Sequence, residues 1–436
     1  MSRKMANIVE KFITSPYMTR TPTPDEIKQW REMPTDRLAL LLAKRTDVDA
    51  PYVLQQAEGW QKLRTKVPSW AAVDALKYPH RLALEQCSGE AAARAKAEII
   101  GRIATRLRHA EGHEAPLTYA DLTGGLGVDF SFIAPRFDRA VYVERQAALC
   151  ELARHNFPLL GLEQAAVVCA DGTEYLHSME RTDVVFLDPA RRDGAGRKTV
   201  LITDCEPDVC SLQTRLLDKA RCVVLKLSTM LDIAQTLKEL QAVCEVHILS
   251  THGECKDLLV VMSRDAALTA AAPCGPLITA HDDGHTLSFT AQSEAEAQPE
   301  WADCVDAYLY EPGAAVLKAG AFKTVAVRHA LKKLHPHSHL YTGSAYLPHF
   351  PGRKFKPERV FGFSKADLKQ LRTDYPQANL TIRNFPSSVD ALRKKLKLRE
   401  GGTAYIFATT LADGKHVLIV CRKAEKGKQE NTFIAQ

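Results

Sequence analysis

The sequence predicts an α/β protein with a Rossmann-like seven-stranded core, a helical region before it and two small α+β domains after it. Three observations carry that prediction. Residues 117–262 hold seven short apolar runs separated by amphipathic stretches, residues 1–115 lack strand alternation, and residues 266–300 are rich in Ala, Pro, Gly, Asp and Gln. Continuous apolar strands alternating with helices mean a parallel sheet covered on both faces, and such sheets bind ligands at the carboxyl ends of their strands.

Each element follows in order. In the helical region, residues 1–115, Pro24-Asp-Glu-Ile-Lys-Gln-Trp-Arg-Glu is a helix start, and Ala91–Leu107 carries helical spacing. The core, residues 116–265, has predicted strands at Leu117–Leu122, Ala140–Val143, Ala166–Cys169, Val184–Leu187, Cys222–Leu227, Val243–Leu249 and Leu258–Met262. In the next domain, residues 270–350, a hairpin Leu277–Phe289 turns at Asp282-Asp283-Gly284, then come Tyr308-Leu-Tyr-Glu-Pro and a helix over Ala319–Leu334. After a Pro348–Pro357 loop, the last domain, residues 355–425, holds a helix Ser387–Leu398 capped by Gly401-Gly402. Strands Ala404–Thr409 and His416–Cys421 follow it.

With 436 residues, 45% hydrophobic and 25% charged, the chain is neither disordered, collagen-like nor a small disulfide scaffold. Eleven scattered cysteines without a C-x-x-C pair read as reduced thiols, so no metal is expected. His335, His337 and His339 alternate as ligands on a strand would, but Pro336 and the lack of a carboxylate or thiol partner argue against a metal there. The first residues lack an apolar h-region, and no run is long and apolar enough to span a membrane, so a cytoplasmic protein is expected.

Four motifs fall at consecutive strand ends. Asp121-Leu-Thr123-Gly124-Gly125-Leu-Gly127-Val-Asp129 leaves the first strand for a helix, where glycines let backbone amides approach a ligand. Glu144 ends the second strand 23 residues after Asp121, where an acid can take both hydroxyls of a ribose. Cys169-Ala-Asp171-Gly places a carboxylate after the third, and Asp188-Pro-Ala-Arg191-Arg192-Asp193 follows the fourth.

This series resembles the motifs of class I S-adenosylmethionine-dependent methyltransferases. It is closest to a bacterial family that carries a ferredoxin-like domain and a C-terminal THUMP-like domain. Further matching stretches are Leu84-Glu85-Gln86-Cys87-Ser88 with Ala95-Lys96-Ala97, Leu225-Lys226-Leu-Ser228, Glu254-Cys255-Lys256, Tyr308-Leu-Tyr-Glu-Pro312, Phe350-Pro-Gly-Arg353 and Arg383-Asn-Phe-Pro386. The resemblance implies S-adenosylmethionine as cofactor. Asp121, Thr123, Gly124, Gly125 and Gly127 would hold its methionine part, Glu144 its ribose and Asp171 its adenine, while Asp188 would face the acceptor.

Asp188-Pro-Ala-Arg also resembles the strand-four motif of RNA uracil-C5 methyltransferases, but Val223–Met230 has no nucleophilic cysteine, so a covalent mechanism is not expected. For a base nitrogen, Asp188 and a carbonyl of the Asp-Pro turn would accept from the amine. For a ribose hydroxyl, Asp188, Lys226 and Glu254, with Lys96, resemble the Lys-Asp-Lys-Glu set of the heat-shock 2′-O-ribose methyltransferases. A nicotinamide oxidoreductase on the same fold would instead begin its turn with G-x-G-x-x-G, and an RNA adaptor without turnover would not need Asp188-Pro-Ala-Arg.

The charge is uneven. The chain carries a net +6, while residues 353–399 hold 13 Lys and Arg against 4 acids and the remainder is mildly acidic. A basic end of this kind, in a THUMP-like domain, implies an RNA partner such as tRNA or rRNA. Arg191, Arg353, Lys354, Arg393, Lys394 and Lys395 are the expected substrate contacts.

Overall fold

The computed structural model describes residues 20–110, 116–191, 201–270 and 274–424. Arg192 and Asp193 of the fourth motif, and the side chain of Arg191, lie outside the described residues. The chain divides into two units, Met1–Val243 with Val260–Ala270, and Cys244–Leu259 with Ala271–Gln436.

The first unit opens with helices α1 (Pro24–Trp30), α2 (Thr35–Leu42), α3 (Ala50–Lys66), α4 (Pro68–Ala71), α5 (Arg81–Gln86) and α6 (Glu90–Ala110). The predicted start is a capping box: the Thr23 hydroxyl accepts from the Glu26 N–H, and the Glu26 carboxylate accepts from the Thr23 N–H. Along α6, Ala93, Ala97, Ile100, Ala104 and Leu107 recur at three- and four-residue spacing and are buried. Lys96 is buried among them.

Strands β1 (Thr118–Asp121), β2 (Arg139–Glu144), β3 (Ala165–Cys169), β4 (Thr182–Leu187) and β7 (Ala220–Leu227) form a parallel array in the order β3-β2-β1-β4-β7. Between β4 and β7 a small antiparallel pair intervenes, β5 (Ala190–Arg191) and β6 (Cys205–Glu206). The register sets Asp121 opposite Tyr142 and Phe186, and Glu144 opposite Cys169, so the strand-end motifs open at one end of the sheet. Helices α7 (Val128–Ile133), α8 (Ala147–Leu159) and α9 (Gly172–Ser178) follow β1, β2 and β3 in turn. This is the open α/β topology predicted from the apolar runs.

The second unit contains most of β8 (Val243–Thr251) and the first part of β9 (Glu254–Ser263). The predicted hairpin forms as β10 (Leu277–Asp282) and β11 (His285–Phe289), turning through Asp283 and Gly284 at positive φ. Strand β10 pairs in parallel with β8, Ile278 lying opposite Val246.

Its second sheet has the order β13-β14-β12-β15-β18-β17-β16, from β12 (Tyr308–Pro312), β13 (Lys332–Lys333), β14 (Tyr341–Gly343), β15 (Gly352–Phe361), β16 (Asn379–Arg383), β17 (Ala404–Thr410) and β18 (His416–Lys423). Three local expectations change here. Of the helix expected over Ala319–Leu334 only Thr324–Arg328 forms: Gly320 at φ +80° ends a preceding helix, Ala314–Ala319, and β13 occupies Lys332–Lys333. The Pro348–Pro357 loop largely becomes β15, which tolerates Pro357 at a register shift, where a missing N–H breaks no ladder bond. The helix expected over Ser387–Leu398 spans Val389–Leu396 and is capped by Lys397 at φ +50°, not by Gly401-Gly402.

Candidate active site

The glycine loop after β1 is fastened at several points. Asp121 is 2% exposed, and its Oδ1 accepts from the Thr123 N–H at 2.9 Å and from the Thr123 hydroxyl at 3.4 Å. The Gly124 N–H donates to the Val143 carbonyl at 2.8 Å, and the Gly125 N–H donates to Glu144 Oε2 at 2.9 Å. Glu144 Oε1 accepts from the Gln146 N–H at 2.8 Å. Both Glu144 oxygens are thus aimed by backbone donors, and each keeps a second lone pair for a hydroxyl. Gly125 at φ +56° and Gly127 at φ +85° need the left-handed region.

Gly124 is constrained by space. A Cβ there would lie 2.2 Å from the ring of Tyr142, which is packed edge-on against Phe130 and Phe157 and donates its hydroxyl to the Gly125 carbonyl. The ring has nowhere to go. Gly124→Ala is therefore expected to destabilise the first unit by roughly 1–3 kcal/mol, the usual cost of overpacking. It should weaken ligand binding at the loop in parallel. A thermal melt with binding calorimetry checks this, and a wild-type melting temperature would refute the packing argument.

Asp171 is the N-cap of α9: its Oδ1 accepts from the Thr173 N–H at 2.8 Å, the Thr173 hydroxyl at 2.5 Å and the Glu174 N–H at 3.3 Å. The Thr173 hydroxyl, then the backbone donors, hold its carboxyl below the ordinary aspartate range.

Beside this loop lies a chain of alternating charges. Lys226 Nζ donates to Asp188 Oδ2 at 2.5 Å and lies 3.7 Å from Asp129 Oδ2. Lys96 Nζ lies 3.1 Å from Asp129 Oδ1. The Asp188 N–H donates to the Thr123 hydroxyl at 2.6 Å, so one threonine ties the fourth strand end to Asp121. Asp188 keeps 40% of its side-chain surface open.

The acids titrate apart. Burial, reinforced by Asp129 and Asp188, pushes Asp121 up to about 8 against the pull of the Thr123 N–H and Lys226. Burial would also raise Asp129, but the Lys96 and Lys226 ammoniums and the Ser88 hydroxyl outweigh it and hold it below its ordinary value. Asp188 lies on the raised side through desolvation, with Lys226 opposing.

The comparisons with known proteins bear on this arrangement. Residues 308–351 match the profile of a ferredoxin-like domain, and residues 352–423 match a THUMP-like domain. A crystal structure from Porphyromonas gingivalis W83, assigned as a methyltransferase, is 40% identical, covers 92% of this chain and 97% of its own, and superposes with a TM-score of 0.78. An uncharacterized S-adenosylmethionine-dependent methyltransferase of Mycobacterium tuberculosis (strain H37Rv) is 27% identical over 349 residues, 78% of this chain and 87% of that protein. The chain belongs to the S-adenosylmethionine-dependent methyltransferases with ferredoxin-like and THUMP-like domains. In this methyltransferase those two domains share one sheet, β12 of the first pairing with β15 of the second.

The residues present fit the cofactor. Asp129 and Asp188 balance two ammoniums, Lys96 and Lys226, and the third acid, Asp121, is left to become a carboxylate when a sulfonium and an ammonium are received. Gly125 has an open face, the nearest atom to a Cβ there being the Thr123 carbonyl at 3.8 Å.

Not every expected contact joins this site. Glu254 is not a member of the charge chain: it lies in the second unit, 74% exposed, bonded to Lys256 at 2.5 Å. The acid between the two lysines is Asp129 instead. Asp129 closes the glycine motif in the sequence, and as an acid in the first turn of a helix its type and position alone mark no role in the site. Arg353 and Arg383 both bind the buried carboxylate of Glu311, so Arg353 has a structural partner already. Lys354 is half-buried, with its ammonium lowered by desolvation, and Arg393 bonds Glu400 at 2.5 Å. Lys394 and Lys395 are exposed, Lys395 lying 4.3 Å over the Phe363 ring. Among the described residues no group of His, Cys, Asp and Glu is placed to hold a metal, and no helix is long and apolar enough to cross a membrane.

Proposed function

We propose that this methyltransferase acts on an amine nitrogen of an RNA base, with Asp188 receiving the acceptor and the THUMP-like domain docking the RNA, of the tRNA or rRNA class. The observation that carries the choice of acceptor is the placement of Lys226 between two carboxylates. Its Nζ donates to Asp188 at 2.5 Å and lies 3.7 Å from a second carboxylate. An ammonium so placed is a hydrogen-bond donor, not a base that could take a proton from a ribose hydroxyl. Asp188 Oδ2 is held by Lys226, and the open edge of the carboxylate can accept from an N–H of the acceptor. That hydrogen bond localises the amine lone pair toward the reacting atom.

S-adenosylmethionine, when bound, supplies an electrophilic methyl group. The chain's own contribution is alignment and exclusion of water. In this reading Asp121, Thr123, Gly124, Gly125 and Gly127 hold the methionine part, Glu144 the ribose and Asp171 the adenine. Pro189 stiffens the turn that carries Asp188.

The RNA reading is supported by the basic excess of residues 353–399 together with the THUMP-like profile over 352–423. Lys394 and Lys395 are the contacts to test, since Arg353 and Arg393 already hold carboxylates. With both changed to glutamine, the slope of log affinity against log salt for RNA should fall by about 1–2. An unchanged slope would remove this helix from the docking surface.

The test of function is incubation of the protein with labelled S-adenosylmethionine and RNA from a strain lacking its gene, followed by nucleoside mass analysis. A base-methylated nucleoside is expected. A ribose-methylated one would overturn the amine reading, and no labelled RNA would overturn RNA as substrate.

A further inference from the structure

We propose that Lys96 and Ser88 of the helical region, acting through Asp129, are positioning residues for the acceptor carboxylate Asp188. The proposal rests on the reading of Asp188 given above.

Lys96 has no exposed surface. A buried ammonium is costly unless it is paired, and alanine, isoleucine and leucine fill the rest of the same face of α6. What Lys96 touches explains its presence. It donates to Ser88 Oγ at 2.9 Å, Ser88 donates to Asp129 Oδ2 at 2.8 Å, and Lys96 Nζ is 3.1 Å from Asp129 Oδ1. One oxygen of Asp129 is thus hydrogen-bonded, and the other ion-paired, from the helical region.

The consequence falls on Lys226, which stands between two carboxylates and leans toward Asp188, at 2.5 Å against 3.7 Å for Asp129. Lys96 offsets the charge of Asp129 and so weakens its hold on Lys226. Without that offset Asp129 becomes the stronger partner, Lys226 moves toward it, and Asp188 loses its donor. Among the described residues, the charged groups around Asp188 are Lys226 on β7, Asp129 on α7, Lys96 on α6 and Asp121 at the end of β1. Losing the Lys226 contact removes the cation that holds the Asp188 charge and leaves the repulsion of Asp129, which favours the protonated form.

The experiment is a carbon-13 titration of aspartate carboxyls in the full-length protein without substrate, with the Asp188 signal assigned from Asp188→Asn. Titrations of Lys96→Met and Ser88→Ala are set beside it, together with kcat and KM on RNA. In Lys96→Met the Asp188 carboxyl should titrate about one pH unit higher, and the acid limb of the kcat profile should move with it. On that limb kcat falls about tenfold, while KM for RNA stays within about twofold. Ser88→Ala should shift both in the same direction by less.

Asp188 titrating as in the wild type in both variants would overturn the proposal. So would an unfolded Lys96→Met combined with wild-type titration in Ser88→Ala, since Lys96 would then serve only the fold. The carboxyl titration needs no acceptor, so it stands even where the RNA reading fails, and the two failures are told apart.

Discussion

Asp188→Asn should retain wild-type affinity for S-adenosylmethionine within about threefold while kcat on RNA falls by about 10²–10³-fold, the range for removing a charged group that acts on the reacting centre. The expectation follows from what the carboxylate does and does not hold. Its backbone N–H, which donates to the Thr123 hydroxyl, is untouched by the substitution, so the tie to Asp121 and the glycine loop survives. What changes is the partner of Lys226. The ammonium keeps Asp129 at 3.7 Å and can still donate to the amide oxygen, but the amide nitrogen presents donors where the acceptor's N–H needs an acceptor. An effect on kcat without one on cofactor binding places Asp188 at the acceptor. Equal losses in both would make it a structural member of the loop, and full activity would remove it from the site.

How much of this was readable beforehand depends on the distance over which each interaction acts. The seven apolar runs of the core all became strands, because burial on both faces leaves a continuous apolar stretch that local sequence displays. The glycine loop was legible for a similar local reason. The charge chain was not, since Ser88, Lys96, Asp129, Lys226 and Asp188 come from five separate segments and meet only once α6 has packed on the sheet. In the sequence Lys96 and Ser88 stand out through resemblance alone, and the same resemblance sets Glu254 beside Asp188, Lys226 and Lys96 although its own neighbour Lys256 satisfies it. The same limit explains the arginines. Arg353 and Arg383 read as basic surface until the fold brings Glu311, fully enclosed in β12, between them.

A second large effect is expected at Asp121, and it has a pH signature. The carboxyl is buried at 2% exposure and titrates near 8, because burial and the neighbouring acids disfavour its charge. A cationic ligand favours the carboxylate, so at neutral pH binding must release the proton that Asp121 holds. Affinity therefore follows the deprotonated fraction: it falls by up to about tenfold per pH unit below the titration point until it reaches that of the protonated form, and it levels off above the titration point. In Asp121→Asn the amide oxygen can still accept from Thr123, so the loop keeps its fastening while the charge is lost. Titration of the ligand's own amino group appears in both proteins and cancels in their ratio. The wild type should thus bind S-adenosylmethionine about 10–100-fold more tightly than the variant at pH 9, where the comparison is carboxylate against amide. At pH 6, where a protonated acid is compared with an amide, the two affinities should come within about threefold. Calorimetry at the two pH values, in buffers of different ionisation enthalpy, reads both the ratio and the released proton. A ratio that stays constant with pH would mean that Asp121 carries the same charge throughout, and its part in the site would then be to hold Thr123 in place.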